Sequence, residues 1–223
     1  MKNYFREILG KTLVSTLIRE QFIIDRSLYI ARIDDDTQSN FIIEYIISIL
    51  NSKLMSFYFR YSNNEFDTLF PKIRVAEFKK LPIKIVELDL QQLAKTKVDD
   101  LLLAKSDVII VFEKFKRYFV KSFSLFKVSR KLQNWHELGF GEFIKELNRA
   151  VKSNNKLRVK EGLEEVPTLT KKDEFEWLDL FEDNKEKAQD LQNQINQTDK
   201  EINAMVYELY GLNEDEITIV ENS

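Results

Sequence analysis

A chain of 223 residues that is 43% hydrophobic and 32% charged holds material for one ample core, or for a globular part with a helical extension, and not for several full domains. It contains no cysteine, which excludes disulfides, thiolate metal sites and a cysteine nucleophile and suits a cytoplasmic protein. Its net charge of -3 conceals an asymmetry: residues 105–160 carry 14 Lys and Arg against 5 Asp and Glu, whereas 161–223 carry 5 against 18. A basic middle beside an acidic tail fits either a polyanion partner or two parts of the chain that attract each other.

The opening "MKNYFREILG" lacks a long apolar run ahead of a small-residue cleavage site, so it does not read as a signal peptide. "LVSTLI" and "SLYIARI" are short β-branched and aromatic runs that predict two or three strands, closed by the turn "DDDTQSN". The apolar stretch Phe41 to Phe59 predicts one mostly buried helix, with Asn40 as its cap and a narrow polar stripe at Glu44, Ser48, Asn51, Ser52 and Ser56 that argues against a membrane span. "RYSNNEFDTLF" is a polar, irregular loop; Pro71 starts an extended piece and Pro82 ends the next element.

From Leu88 the pattern turns helical and lacks Gly and Pro for some forty residues, with the β-branched "DVIIVF" as the place for a break. Phe115, Phe119 and Phe123 recur there at helical spacing, which marks core positions before base-stacking platforms. A shorter helix follows "GFG" at 139–141 and buries Phe143, Ile144, Leu147 and Val151. Beyond the Gly162 to Pro167 loop, Thr170 and Asp173 resemble a capping box, and a long helix over about 171–211 ends at Gly211. Within it Ala188, Leu191, Ile195, Thr198, Ile202, Met205, Leu209 and Leu212 alternate by three and four, a heptad seam. The seam does not choose between a partner helix in the same chain and a second subunit, so dimerisation stays open. "NEDEITIVE" predicts a last short helix with an Asn213 cap. The expected fold class is α+β: a small mixed α/β lobe over residues 1–86, followed by a predominantly helical region over 87–223 with a long coiled-coil-like helix.

Few catalytic constellations survive the inventory. A single histidine excludes sites built on two or three imidazoles, and five glycines supply neither a phosphate loop nor a dinucleotide fingerprint. His136, between Trp135 and Glu137, reads as a local structural or surface residue. Asp67 followed by Glu77 and Lys79 has the order of a metal-dependent nuclease, in which two carboxylates hold a divalent cation and the lysine polarises the attacking water. That chemistry needs Asp67 and Glu77 on adjoining strands, whereas "VAEFKKLP" looks like a helical turn before a proline.

"ILNSKLMSFYFRY", followed by "LFPKIRVAEFKKLPI", resembles the signature of the TaqI-like C-terminal specificity domain, the target-recognition part of type IIG restriction-modification enzymes and related adenine-specific DNA methyltransferases. "EINAMVYELYGLNEDEITIVE" is similar to the ending of many of those long chains, and "KLQNWHELGFGEFIKELNR" and "EFEWLDLFEDNKEKAQDLQNQI" to the helical tails between. The resemblance runs from about residue 25 onward. It implies that Asp67, Glu77 and Lys79 belong to a recognition framework and not to a metal site. The glycine motif and N-P-P-[YF] tetrapeptide of the methyltransferase members are both missing. The resemblance therefore implies a chain that binds no cofactor and does not methylate alone, be it an excised piece, a separate specificity subunit or a remnant.

It further implies double-stranded DNA as one partner and a methyltransferase or endonuclease part as the other. Arg, Asn or Gln would read base edges and Lys would hold phosphates. The candidates are Arg60, Asn63 and Asn64 in the polar loop, Lys72 and Arg74 in "PKIR", and Lys79 and Lys80 as backbone contacts. A second DNA candidate is the basic region, where Lys114, Lys116, Arg117, Lys121, Lys127, Arg130 and Lys131 crowd together, with Lys116 and Arg117 its centre. Two other classes compete: a helical interaction protein that ignores DNA, and the nuclease built on Asp67.

Overall fold

The computed structural model describes residues 2–6, 12–18, 28–31, 41–62 and 74–223. The Asn40 cap, the "DDDTQSN" turn, Pro71 and most of the polar loop lie outside the described residues. The chain forms two compact units, Met1–Leu102 with Asn196–Ser223, and Leu103–Ile195. It is predominantly helical. Among the described residues no helix is long and apolar enough to cross a membrane.

The first unit opens with three short strands, β1 (Lys2–Arg6), β2 (Ser15–Ile18) and β3 (Leu28–Ala31). They form an antiparallel sheet in the order β2-β1-β3, with Phe5 opposite Ser15 and Arg6 opposite Leu28. The central strand "KNYFR" carries two charges in five residues and no alternating apolar pattern, so it gives no strand signal of its own. Pairing on both edges holds it in the sheet.

Phe41 to Phe59 is not one helix. It divides into α1 (Ile43–Leu50) and α2 (Lys53–Ser62), and the break at Asn51 and Ser52 has a local cause. Ser52 Oγ donates to the Ile49 carbonyl at 2.7 Å, fastening the end of α1, and accepts from the Met55 N–H at 3.1 Å, capping the start of α2. The polar stripe faces inward except at Asn51, which is exposed: Glu44, Ser48, Ser52 and Ser56 are all buried. Ser56 Oγ accepts from the Leu13 N–H at 3.0 Å and donates to the Ser52 carbonyl at 3.1 Å, so the stripe docks the segment leading into β2. Gln91, fully buried, accepts from the Ile42 N–H at 2.8 Å and donates to the Val86 carbonyl at 3.1 Å, serving the first turn of α1.

A single turn, α3 (Val75–Phe78), precedes the long helix α4 (Leu88–Ser122), which passes through "DVIIVF" without interruption. Val108, Phe115 and Phe119 all lie buried along it, and packing of that face overrides the weak helix propensity of the β-branched run. After α4 come α5 (Arg130–Gln133), a 3-10 turn at Trp135–Glu137, α6 (Phe140–Lys160), the forty-residue α7 (Lys171–Tyr210) and α8 (Glu214–Glu221). At the start of α7, Thr170 and Asp173 cap each other, the Thr170 N–H donating to Asp173 Oδ2 at 2.8 Å. Gly211 ends it at φ 75°, where the Leu212 N–H reaches the Tyr207 carbonyl at 3.0 Å.

Each unit has its own core. In the first, Tyr45, Ile49, Met55 and Phe59 pack with Ala94 of α4 and with Val206 and Leu209 of α7. In the second, Phe115 and Phe119 of α4 meet Trp135, Phe143 and Leu147 of α6, and Phe181 of α7. Here the rings pack tilted and stacked: Phe115 lies tilted 4.5 Å from Trp135, and Phe143 stacks on Phe181 at 4.9 Å, between centroids. The heptad positions Ala188, Ile195, Ile202 and Leu209 are buried within the chain itself.

Candidate nucleic-acid interface

The residues of "LNSKL" are occupied by structure. Asn51 treats Ser15 as a neighbouring strand would: its Oδ1 accepts from the Ser15 N–H at 2.6 Å and its Nδ2 donates to the Ser15 carbonyl at 2.9 Å. Lys53 donates its backbone N–H to Asn203 Oδ1 at 2.8 Å, and its ammonium bonds the Glu221 carboxylate. Tyr207 donates to the same carboxylate at 2.7 Å. Burial pushes the Glu221 carboxyl up, but hydrogen bonds from Lys53 and Tyr207 more than reverse this and hold it below its usual range.

"KLPIK" is fastened to the end of α7 in the same manner. The Tyr210 hydroxyl donates to the Pro82 carbonyl and accepts from the Lys84 N–H at 3.3 Å, while Lys84 Nζ donates to the Leu209 carbonyl at 2.6 Å. Tyr45 donates to the Lys84 carbonyl at 2.6 Å, and burial pushes its phenol up to about 12. The phrases "LNSKL", "KKLPI" and "VYELYGL", far apart in sequence, are thus one hydrogen-bonded framework.

Around this framework the candidate residues are mainly at the surface. Arg60 lies in the last turn of α2, its guanidinium 5.8 Å from the ring centre of Tyr61. Tyr58 and Tyr61 are exposed on that helix, 42% and 64%, a polar-tipped aromatic surface beside Arg60 that the apolar pattern of the segment conceals. Arg74 is exposed with extended backbone just before α3, and Lys79 and Lys80 are exposed just after it. Asn63, Asn64 and Lys72 lie outside the described residues, as does Asp67. Glu77 turns back on its own helix, where its Oε2 accepts from the Arg74 N–H at 3.4 Å.

In the second unit Lys116 is ion-paired with Glu113, one turn away on α4. Arg117 is exposed and lines a hollow with Ile109, Ile110 and Tyr118. Lys131 bonds Glu142 at 2.8 Å, and that bond lowers the Glu142 carboxyl and raises the ammonium. His136 stacks flat on Phe112, 3.7 Å between centroids, and burial lowers its pKa, as befits a packed ring kept neutral. Exposed cations are densest on α6, at Lys145, Arg149, Lys152 and Lys156, beyond the candidates picked from the sequence.

Residues 3–83 match the family model of the TaqI-like C-terminal specificity domain, the family that the sequence resembles. Residues 87–206 match the family described as Domain of unknown function (DUF8810). That match covers more than half of the chain, which belongs to this family. No curated protein and no solved structure matches the chain.

Proposed function

We propose that this chain recognises a DNA sequence for a restriction-modification system of the type IIG kind and is non-catalytic alone. The match of residues 3–83 to a specificity domain carries this reading. In it, residues 1–86 form an α+β recognition lobe, and residues 87–223 dock that lobe to a methyltransferase or endonuclease part that holds any cofactor. Arg60, Arg74, Asn63, Asn64 and Lys72 read bases or fix register, and Lys79 and Lys80 hold phosphates. Burial of Ala188, Ile195, Ile202 and Leu209 within the chain favours a seam spent on the chain's own packing over one that dimerises. The self-capping role of Glu77 favours a framework residue over a nuclease ligand.

The test is selection from a randomised duplex library by the full chain with magnesium present, followed by sequencing and by gel inspection of the recovered DNA. Enrichment of one motif from intact DNA is expected. Recovery without any motif would refute sequence recognition, and cleaved DNA would refute the non-catalytic assignment.

A further inference from the structure

The exposed face of α6 has a charge pattern that packing does not explain. Lys145, Arg149, Lys152 and Lys156 follow one another by four, three and four residues, which places them on one stripe. All four are exposed, and with Asn148 and Ser153 they line one open hollow. The opposite side of the helix carries Phe143, Ile144, Leu147 and Val151 and is buried. From Phe143 to Lys160 the helix has one carboxylate, Glu146, which is itself buried and bonded to Arg149 at 3.0 Å.

Among the described residues Lys152 and Lys156 form no ion pair. Like charges three and four apart repel one another along the helix; Glu146 offsets Arg149 and Glu142 acts on Lys145, and the remaining repulsion falls when an anion covers the face. A second hollow shares Arg149 and Ser153 and extends the stripe to Lys127 and Ser129, whose hydroxyl also caps α5. Lys145 to Lys156 spans about 16 Å at the rise of an α-helix. On the order of nine phosphate charges pass along that length of duplex.

We infer that this face of α6 is a contact surface for the phosphate backbone of duplex DNA, indifferent to sequence, supplying affinity to the recognition proposed above. Lysine ammoniums on flexible stems, with the Ser153 hydroxyl among them, suit phosphate oxygens, and contacts to phosphate carry no sequence information. The inference rests on DNA being the partner, and its test separates the two.

The triple variant Lys145→Gln, Lys152→Gln, Lys156→Gln of the full chain is titrated against random-sequence duplex DNA by fluorescence anisotropy over a salt series. A control carries Lys172→Gln, Lys187→Gln and Lys200→Gln, an equal charge loss at exposed positions of α7. Thermal unfolding confirms that both variants fold. The stripe variant is expected to lose about 2.7 from the steepness of log affinity against log salt, and to bind at least tenfold more weakly at low salt, while the control loses little. An unchanged slope, an equal loss in the control, or a wild-type chain that does not bind DNA overturns the inference. The last result would leave the stripe to an acidic protein. Motif selection reports separately on the lobe: a motif enriched with the slope unchanged refutes the stripe alone, and a slope lost with no motif refutes sequence recognition alone.

Discussion

The side chain of Asn203 accepts a hydrogen bond from the backbone N–H of Lys53, 150 residues away in sequence, at 2.8 Å. The first N–H groups of any helix lack partners within it, and here a residue of α7 serves the first turn of α2. Asn203 is itself buried, and its amide nitrogen donates to the Asp199 carbonyl at 2.9 Å, which fixes the orientation of the acceptor. "LNSKL" and "EINAMVYELYGL" therefore meet in space for a structural reason.

Asn203→Ala leaves the Lys53 N–H without its partner in a part-buried position, at an expected cost of about 1–3 kcal/mol. Urea denaturation of variant and wild type measures it. An unmoved midpoint would show that water replaces the bond without loss.

Asn51→Ala removes the three hydrogen bonds that hold Ser15 against the α1–α2 joint, from the Ser15 N–H and hydroxyl to Asn51 Oδ1 and from Asn51 Nδ2 to the Ser15 carbonyl. Amide exchange at Ser15 should accelerate much more than exchange in the second core, around Phe143. Equal protection in the variant and the wild type would mean that the ladder to β1 holds Ser15 by itself.

In the second core, Phe181→Ala empties a fully enclosed ring site and is expected to cost about 3–5 kcal/mol. Phe175→Ala, six residues upstream of Phe181 on the same helix but 73% exposed, should stay within about 0.5 kcal/mol. Comparable losses in the two variants would contradict the packing described.

Ser124 stands at φ 46°, two residues past the end of α4, where a side chain is strained. Asn154, buried, holds the turn by donating to the Ser124 carbonyl at 3.0 Å and accepting from the Phe126 N–H at 2.9 Å. Since those bonds use backbone atoms, Ser124→Gly keeps them and relieves the strain. The thermal midpoint should rise by an amount corresponding to about 0.5–1 kcal/mol; a fall would show that chain entropy outweighs strain here.

Two groups give the stability a pH dependence with separate windows. The His136 pKa is lowered by burial in the folded state, so the unfolded chain binds the extra proton first. Its contribution is complete above the ordinary value of 6.5 and is lost as pH falls through 6.5 toward the folded value. Glu221, also lowered, contributes above its ordinary 4.5 and loses that contribution as pH falls below it. Thermal unfolding from pH 7.5 to 5.5 should show a drop in the wild type that His136→Gln lacks. Parallel curves would exclude the histidine as the cause.

Local signals survived folding intact where their physical cause is local. Thr170 with Asp173, Gly211, and Asn213 with Glu216 each act within a few residues, so sequence spacing suffices to find the helix ends. Helical periodicity likewise marked Phe143, Ile144, Leu147 and Val151 for burial. The "LNSKL" phrase was legible as a family feature, yet its physical role was not, because Ser15, Asn203 and Glu221 lie far from it along the chain.

By itself, then, the sequence determined a predominantly helical chain, the ends of its long C-terminal helix, the aromatic side of α4 and the likeness to a specificity domain, since these depend on sequence neighbours or on short phrases in order along the chain. Tertiary structure alone decided the rest. It drew β1 into a sheet, split the Phe41 to Phe59 segment at Ser52, and turned a polar stripe inward, because partners distant in sequence satisfy those groups. It also sorted the basic residues, drawing Lys131 of α5 onto Glu142 of α6 while leaving Lys152 and Lys156 without an ion pair among the described residues, since pairing between elements depends on which carboxylates fold into reach.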